Sequence, residues 1–244
     1  MSERFPQLFW GMIALAAGLV VASAFTAGAV KGLRRSDDVI EVTGSAKRPI
    51  RSDVAVWRLS VTAQGATVQE ASAGLDAPTQ RVLTFLRQNS VPDSVMTLGA
   101  LVPEPLYRML ENGTTTSEVL GYRVTQHFEV RSTDVNGIKV LDQRADALIR
   151  EGVPLTSNAP EYLYTKLADV RTQMLADATE DAHRRAQAIA KSVGSEIGGV
   201  RSARMGVFQI TPRNSTEVSD YGINDTSSLD KDITAVVRVS FSVD

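Results

Sequence analysis

No stretch of this 244-residue chain constrains its fold as strongly as residues 8–30, an apolar run (LFWGMIALAAGLVVASAFTAGAV) with no charged side chain. About twenty apolar residues at about 1.5 Å of rise each match a hydrocarbon core of about 30 Å, whereas the apolar part of a secretory signal usually runs about 7 to 15 residues. The run therefore reads as a transmembrane anchor or uncleaved signal behind a short head at residues 1–7. Cleavage is the competing reading, because Ala22-Ser23-Ala24 and Ala27-Gly28-Ala29 are small-residue triplets of the kind that signal peptidases cut. Ala14, Gly18 and Ala22 repeat at four-residue spacing, as do Ala24 and Gly28, so two faces would let helix backbones approach closely. Lys31, Arg34 and Arg35 follow the run while only Arg4 precedes it, and by the positive-inside rule that keeps the body in the cytoplasm.

Behind a charged linker at residues 31–38 lies a body, residues 39–244, long enough for one large domain or two small ones sharing a core. Its chemistry is bounded by what the chain lacks. A formal charge of −2 gives no basic surface for nucleic acid, and the complete absence of cysteine removes disulfides, thiolate nucleophiles and Cys-ligated metals.

Residues 39–43 read as a strand closed by Gly44 and a polar turn through Pro49. Strict alternation then puts Ala55, Trp57, Leu59, Val61 and Ala63 on one face of a strand, with Trp57 in the core. Thr67 and Glu70 have capping-box spacing, so a helix starts there; Pro78 predicts a break in it between Gly74 and Pro78. Residues 95–107 are extended, and Pro103 and Pro105 confine them to an edge or bulge. A polar loop at residues 111–117 leads into a second alternating strand with Leu120, Tyr122, Val124, Phe128 and Val130 on one side, the pair making a hairpin.

Ser132, Thr133 and Asp134 cap a second helix, with Val135, Ile138, Leu141, Ala145, Leu148 and Ile149 on its apolar stripe and Gly152 at its stop. A short extended piece covers residues 153–164. The longest helix follows at residues 166–193, with Leu167, Val170, Met174, Ala178, Ala182, Ala186, Ile189 and Val193 at helical spacing. Its alanines predict close approach to a sheet, since Ala keeps helix propensity high without holding the backbone away. Gly194 caps it, residues 200–210 form a strand, residues 211–231 are a long polar loop, either functional or disordered, and residues 233–243 are a closing buried strand. The fold class is α+β: an N-terminal transmembrane helix, then mainly antiparallel strands backed by three helices, in the order TM-β-β-α-β-β-α-β-α-β-β.

The chemistry is sparse. His127 shares a strand face with Glu129, too few ligands for zinc; His183 lies on the charged face of the long helix. No phosphate-cradling glycine loop, nucleophile elbow or EF-hand loop occurs. Glu180-Asp181 and Asp37-Asp38 are adjacent carboxylates, not a pair facing across a cleft. No catalytic, cofactor or metal site is expected. Exposed aromatics are better guides to partners. Tyr162 and Tyr164 share a face of one proline-flanked strand and Tyr107 lies at the tip of the other, offering either a contact surface or ordinary core packing.

Several segments, taken in order, resemble one family: VIEVTG at residues 39–44, DVAVWRLSVT at 53–62, VLTFLRQNSVPDSVMT at 82–97, Gly121-Tyr122, DATEDAHRRAQAIAKSVGSEIG at 177–198 and AVVRVSF at 235–241. This resembles the SIMPL-domain family, which includes YggE-like bacterial envelope proteins. The resemblance implies an α+β domain exported to the bacterial envelope, ring- or barrel-like oligomers and a link to envelope or oxidative-stress tolerance; it brings no catalytic residues. The expected protein is a non-enzymatic, single-pass inner-membrane protein with its body in the periplasm, against the flanking charges. Its expected partners are the bilayer through residues 8–30 and further copies of itself. Two alternatives stand beside it: a chaperone-like binding module using the 211–231 loop, and a hydrolase using dispersed carboxylates and His127.

Overall fold

The computed structural model describes residues 10–13, 15–16, 18–19, 22–23 and 39–243. The described positions between 10 and 23 are helical and exposed, and among the described residues no helix is long and apolar enough to cross a membrane. The expected anchor at 8–30 thus falls partly outside the described residues, as do Ala14, Ala24 and Gly28; Gly18 and Ala22 are exposed helical positions.

From residue 39 the chain is mixed α+β, with strands predominating. The strands are β1 (Val39–Arg51), β2 (Val54–Gly65), β3 (Met96–Leu98), β4 (Val102–Met109), β5 (Thr115–Ser132), β6 (Leu155–Ser157), β7 (Glu161–Leu163), β8 (Ile197–Met205), β9 (Gln209–Pro212), β10 (Ile223–Asn224) and β11 (Asp230–Val243). The helices are α1 (Val68–Ala73), α2 (Asp76–Gln88), α3 (Val135–Arg150) and α4 (Leu167–Ser192). The chain divides into two compact units, one of Met1–Ala46, Thr172–Val207 and Ala235–Asp244, the other of Lys47–Arg171 and Phe208–Thr234.

In the first unit β8 pairs antiparallel with β11, from Val237 opposite Met205 to Val243 opposite Ile197, and β1 lies beside β11. The alanine stripe of α4 packs here: Met174, Ala178, Ala182, Ala186 and Ala190 are all buried. A β-carbon on Gly44 would meet the Ala178 carbonyl oxygen at 2.1 Å and the Ala182 nitrogen at 2.4 Å, so strand and helix touch backbone to backbone. This corrects the expected end of β1 at Gly44. The glycine lies mid-strand because only a residue without a side chain fits under α4, and β1 runs on to Arg51 with Pro49 exposed, since an end strand of a sheet tolerates a missing N–H. The expected stripe positions Ile189 and Val193 are exposed; burial follows the four-residue row to Ala190, a row inclined about 26° to the helix axis. Gly194, at φ +79°, closes α4, and the Ser195 N–H returns to the Ala190 carbonyl at 3.0 Å. The single strand expected at 200–210 is two strands: β8 ends at Met205 opposite Val237, with the Gly206 N–H still bonded in the same register to the Val236 carbonyl at 2.9 Å, and β9 begins at Gln209.

In the second unit β2 is central, paired antiparallel with β5 on one side and with β6 and β7 on the other. Its inward row Ala55, Trp57, Leu59 and Val61 packs with Val82 and Leu86 of α2, Ile138, Leu141 and Ala145 of α3, and Phe128 and Val130 of β5. Trp57 is fully buried and its indole N–H donates to Ser157 Oγ at 3.0 Å, which in turn donates to Asp142 Oδ1 at 3.0 Å. Truncating such a side chain costs about 3–5 kcal/mol.

The capping box forms at α1: Thr67 Oγ1 accepts the Glu70 N–H, and Glu70 Oε2 accepts the Ala66 N–H at 3.0 Å. The predicted break falls at Gly74 and Leu75, which leaves Pro78 as the third residue of α2, where its missing N–H has no intrahelical acceptor. Asp134 caps α3 by accepting the Gly137 N–H at 2.9 Å. Ile149, expected on the stripe of α3, is exposed.

The long polar loop expected at 211–231 is also corrected. Residues 209–212 are β9, β10 pairs parallel with it, and Asp230 and Lys231 already belong to β11, with Lys231 opposite Pro212. Backbone pairing at both ends therefore shortens the irregular stretch, and a buried lysine fixes its return.

Candidate interaction surface

The feature that stands out in the second unit is a hairpin that outruns its sheet. β5 is an 18-residue strand, and the last rung of its pairing with β2 is Gly65 opposite Tyr122. Beyond that rung β5 pairs with β4 alone, through Leu106 opposite Gly121, Tyr107 opposite Val119 and Met109 opposite Thr115. At the root of this arm a β-carbon on Gly121 would stand 2.7 Å from the Gly65 carbonyl oxygen, which is why the side chain is absent there. At the tip the turn closes by Gly113 N–H to Leu110 carbonyl, 2.9 Å, with Gly113 at φ +81°. Arg108 and Glu118 bridge the two strands at 2.9 Å.

A two-stranded hairpin is marginal by itself in water. This one nevertheless exposes Tyr107, Met109 (69% accessible), Leu110, Val119 and Leu120. At its inner end Pro103 and Pro105, opposite Val124 and Tyr122, spend no ladder hydrogen bond and leave the outer edge there without N–H donors. Gln126, an amide among the apolar even-numbered positions of β5, is explained nearby: its Nε2 donates to the Gly99 carbonyl at 2.7 Å, where the chain passes from β3 to β4.

A second projecting element is the stretch between β9 and β10, where Tyr221 is 97% accessible and Val218 is similarly open. A polar frame holds it. Gln209 Nε2 donates to the Ser219 carbonyl at 2.6 Å, and Asp232 accepts the Asn214 N–H at 3.0 Å and pairs with Lys47 at 2.9 Å. The Lys47 hydrogen bond, then that from Asn214, holds the Asp232 carboxyl below its ordinary range. Lys231 is buried and donates to the Tyr162 carbonyl at 2.6 Å and to the Asp225 carbonyl. Its burial pushes the ammonium below its ordinary range. Burial alone would raise the Asp225 carboxyl, but hydrogen bonds from Ser227, with the Lys231 charge behind them, outweigh it and hold that group low.

Of the three tyrosines picked out as contact candidates, Tyr107 is exposed on the arm, Tyr164 is half-buried, and Tyr162 is packed in the core. For Tyr162 the core-packing alternative holds: it sits on β7 opposite Ala55 of the central strand. The sequence did not single out Met109, Leu110, Val119, Val218 and Tyr221, and Leu120, expected on the apolar row with Val124 and Phe128, is exposed instead because β5 there runs past the end of β2. Their signal was there, as large apolar side chains beside or within polar stretches. His127 is exposed on β5, and His183 is exposed with its ring edge-on to Phe241 at 5.7 Å. Among the described residues no three His, Asp or Glu side chains gather closely enough to hold a metal ion.

With this arrangement in view, the chain belongs to the SIMPL family, described as "Protein of unknown function (DUF541)", whose model matches residues 40–241. It is similar to the 26 kDa periplasmic immunogenic protein of Brucella melitensis, 24% identical over 166 residues, which are 66% of this chain and 64% of that protein. The chain thus spans less than two thirds of that relative's length. Among solved structures, the de novo designed protein Foldit4 aligns at TM-score 0.24 and 15% identity, covering 43% of this chain and 93% of that one. An amidase (hydantoinase/carbamoylase family) from Burkholderia phymatum aligns at TM-score 0.26 and 13% identity, covering 56% and 34%. Overlaps this low carry no argument about fold or activity.

Proposed function

We propose that this protein is a non-enzymatic, membrane-tethered component of the bacterial envelope whose body stands in the periplasm and self-associates into a ring- or barrel-like homo-oligomer, serving envelope or oxidative-stress tolerance. The observation that carries self-association is the β4–β5 arm, a two-stranded element past the end of its own sheet with Tyr107, Met109, Leu110, Val119 and Leu120 open to solvent. Tethering rests on the uncharged run at residues 8–30, with Gly18 and Ala22 as close-approach positions. The periplasmic side rests on the printed name of the Brucella relative, against the charges of Lys31, Arg34 and Arg35.

Mass measurement in mild detergent tests the assembly: an oligomer is expected for the intact chain, and Met109→Asp with Leu120→Asp reduces it without lowering the unfolding temperature. A strict monomer, with and without residues 1–38, overturns the reading. Protease protection of the body in spheroplasts, read beside the mass of the mature N-terminus, tests orientation and cleavage.

One observation favours a second reading, a binding module: Tyr221 and Val218 project from the polar stretch while Asp232 and Lys231 hold that stretch in place. Tyr221→Asp with Val218→Asp abolishes partner capture under that reading and leaves the oligomer intact. The hydrolase reading required His127 in a concave pocket beside a second titratable group; the exposed position of His127 gives it no support.

A further inference from the structure

In the first unit, α4 covers one strand of the sheet and leaves its neighbour bare. Phe241 of β11 meets His183 of α4 edge-on, and Val237, Val239 and Phe241 are buried along that face. Their register partners on β8 are Met205, Ala203 and Val200, and side chains directly opposite across a ladder share a face. All three are exposed, Met205 by 62% and Val200 by 59%, as is every residue of β8 from Gly199 to Met205. The far edge of β8 pairs with no strand among the described residues. Because the Gly206 N–H bonds the Val236 carbonyl, alternation directs the backbone groups of Arg204 and Ser202 to β11. The N–H and C=O of Ala203 and Met205 therefore point to the open edge.

An open edge invites pairing unless it is guarded, and outside the hairpin arm the other edges are guarded or short. Asp181 of α4 accepts the Ser45 N–H of β1 at 3.0 Å, and Pro49 has no N–H. Pro103 and Pro105 blunt β4, and β3, β6, β7 and β10 are two or three residues long. β8 has nine residues, no proline and no acidic side chain, but it carries two arginines. Arg204 lies on the face away from the apolar strip, directly opposite Arg238, whose charge is paired with Glu41 at 3.3 Å. Arg201 falls at the bulge where the register shifts. Neither arginine of β8 has a carboxylate partner among the described residues. Two β8 edges from two copies would set like charges side by side, and β1 of a second copy is closed at Ser45, so the edge suits a different polypeptide.

We propose that β8 takes up an extended segment of a partner polypeptide as an added strand, one in which acidic residues alternate with apolar ones. Main-chain hydrogen bonds to Ala203 and Met205 supply the attachment, and the two-residue period of a strand sorts the side chains. The apolar ones lie along Val200, Ala203 and Met205; a carboxylate stands beside Arg204 on the other face. The site uses no residue of the hairpin arm and does not depend on the assembly proposed for it.

The test uses the full chain in neutral nanodiscs and fluorescent peptides read by anisotropy: one alternating Val and Glu, one alternating Val and Lys, and one with the Val and Glu residues segregated into blocks. The alternating Val and Glu peptide is expected to bind about tenfold or more tightly than the other two and to raise the exchange protection of the Ala203 and Met205 amides. N-methylation of one alternate set of its amides abolishes binding while methylation of the other set is tolerated, since only one set faces β8. Ala203→Pro, which removes an N–H at the open edge and leaves the bonds to β11, abolishes binding at an unchanged unfolding temperature. Arg201→Glu with Arg204→Glu, which leaves the backbone alone, reverses the preference to the Val and Lys peptide. Equal binding of the three peptides, tolerance of methylation on both sets, or protection at Ala203 that rises with protein concentration in the absence of peptide, which would put a second copy on the edge, overturns the proposal.

Discussion

Gly44 and Ala178 meet so closely that a single added methyl group would overlap the helix backbone: a β-carbon on Gly44 lies 2.1 Å from the Ala178 carbonyl oxygen. Neither a β-strand nor the middle of α4 yields that distance by a side-chain rotation. Gly44→Ala must push β1 off α4 and open the stripe of Ala178, Ala182 and Ala186, so it is expected to destabilise by about 2 kcal/mol or more, at the upper end of overpacking costs. Urea unfolding reads this as a lower midpoint at unchanged slope. A shift under about 0.5 kcal/mol would show that the contact is not a constraint.

That contact also shows what was legible in the sequence. The alanine row of α4 announced a close approach to a sheet, and it is there; Gly44 read as a turn because a glycine followed by polar residues and Pro49 has the same local pattern in a turn as under a helix. Period-two alternation located β2, β5 and β11, whose expected inward rows are largely buried; the outer end of β5 departs from this, with Leu120 exposed and Tyr122 half-buried. It missed the divisions after Gly99 and Gly206, whose N–H groups still bond in register to the His127 and Val236 carbonyls; where a strand stops beyond such a rung depends on its pairing partner and not on a local pattern. The arm was half legible: the hairpin was predicted, yet its overhang follows from the end of β2 at Gly65, a relation between strands far apart in sequence. Lys231 was readable in retrospect, since two residues before Ile233 is the buried face of β11.

Lys231 makes stability rise with alkalinity. Its pKa in the folded chain lies below the ordinary 10.5, because burial disfavours the ammonium. Below the folded value both states carry the proton and stability is flat; between that value and 10.5 the unfolded chain holds more protons, so stability rises with pH. Unfolding free energies taken from pH 7 upward should show this rise in the native chain and lose it in Lys231→Met. That variant should also be weaker at neutral pH, by about 1–3 kcal/mol for each carbonyl left unpaired, those of Tyr162 and Asp225. Parallel pH profiles for the two proteins would contradict the assignment.

Asp232 works in the opposite direction. Lys47 and the Asn214 N–H hold its folded pKa below the ordinary 3.8, so its contribution is complete above that value and is lost as pH falls through the folded one. The amide of Asn214 reports it directly. Its exchange protection should drop in Asp232→Ala at neutral pH, and the start of the 213–222 stretch should loosen in acid before the core around Trp57 does. Unchanged protection at Asn214 would mean that another contact fixes this stretch.

Under the self-association proposed above, Pro103 and Pro105 would set the limit on how the arm pairs. Both lie on β4, whose other edge pairs with no strand among the described residues, and both are placed where a ladder N–H would point outward, away from β5. An edge without donors resists pairing with another strand, a common protection for exposed edges. With the inner edge blocked, the proposed contacts between copies would fall to the outer part of the arm, where Tyr107, Met109, Leu110, Val119 and Leu120 are exposed. Pro103→Thr with Pro105→Thr restores two donors to a β-favouring strand and should convert the proposed closed assembly into larger, polydisperse species, seen as a shift to higher mass by light scattering. Adding Met109→Asp and Leu120→Asp to that variant separates the two modes. Edge pairing through the new donors would persist, whereas association through the apolar outer face would disappear. If the double proline variant keeps the native mass distribution, the prolines serve the turn from β3 into β4 and not the protection of the edge.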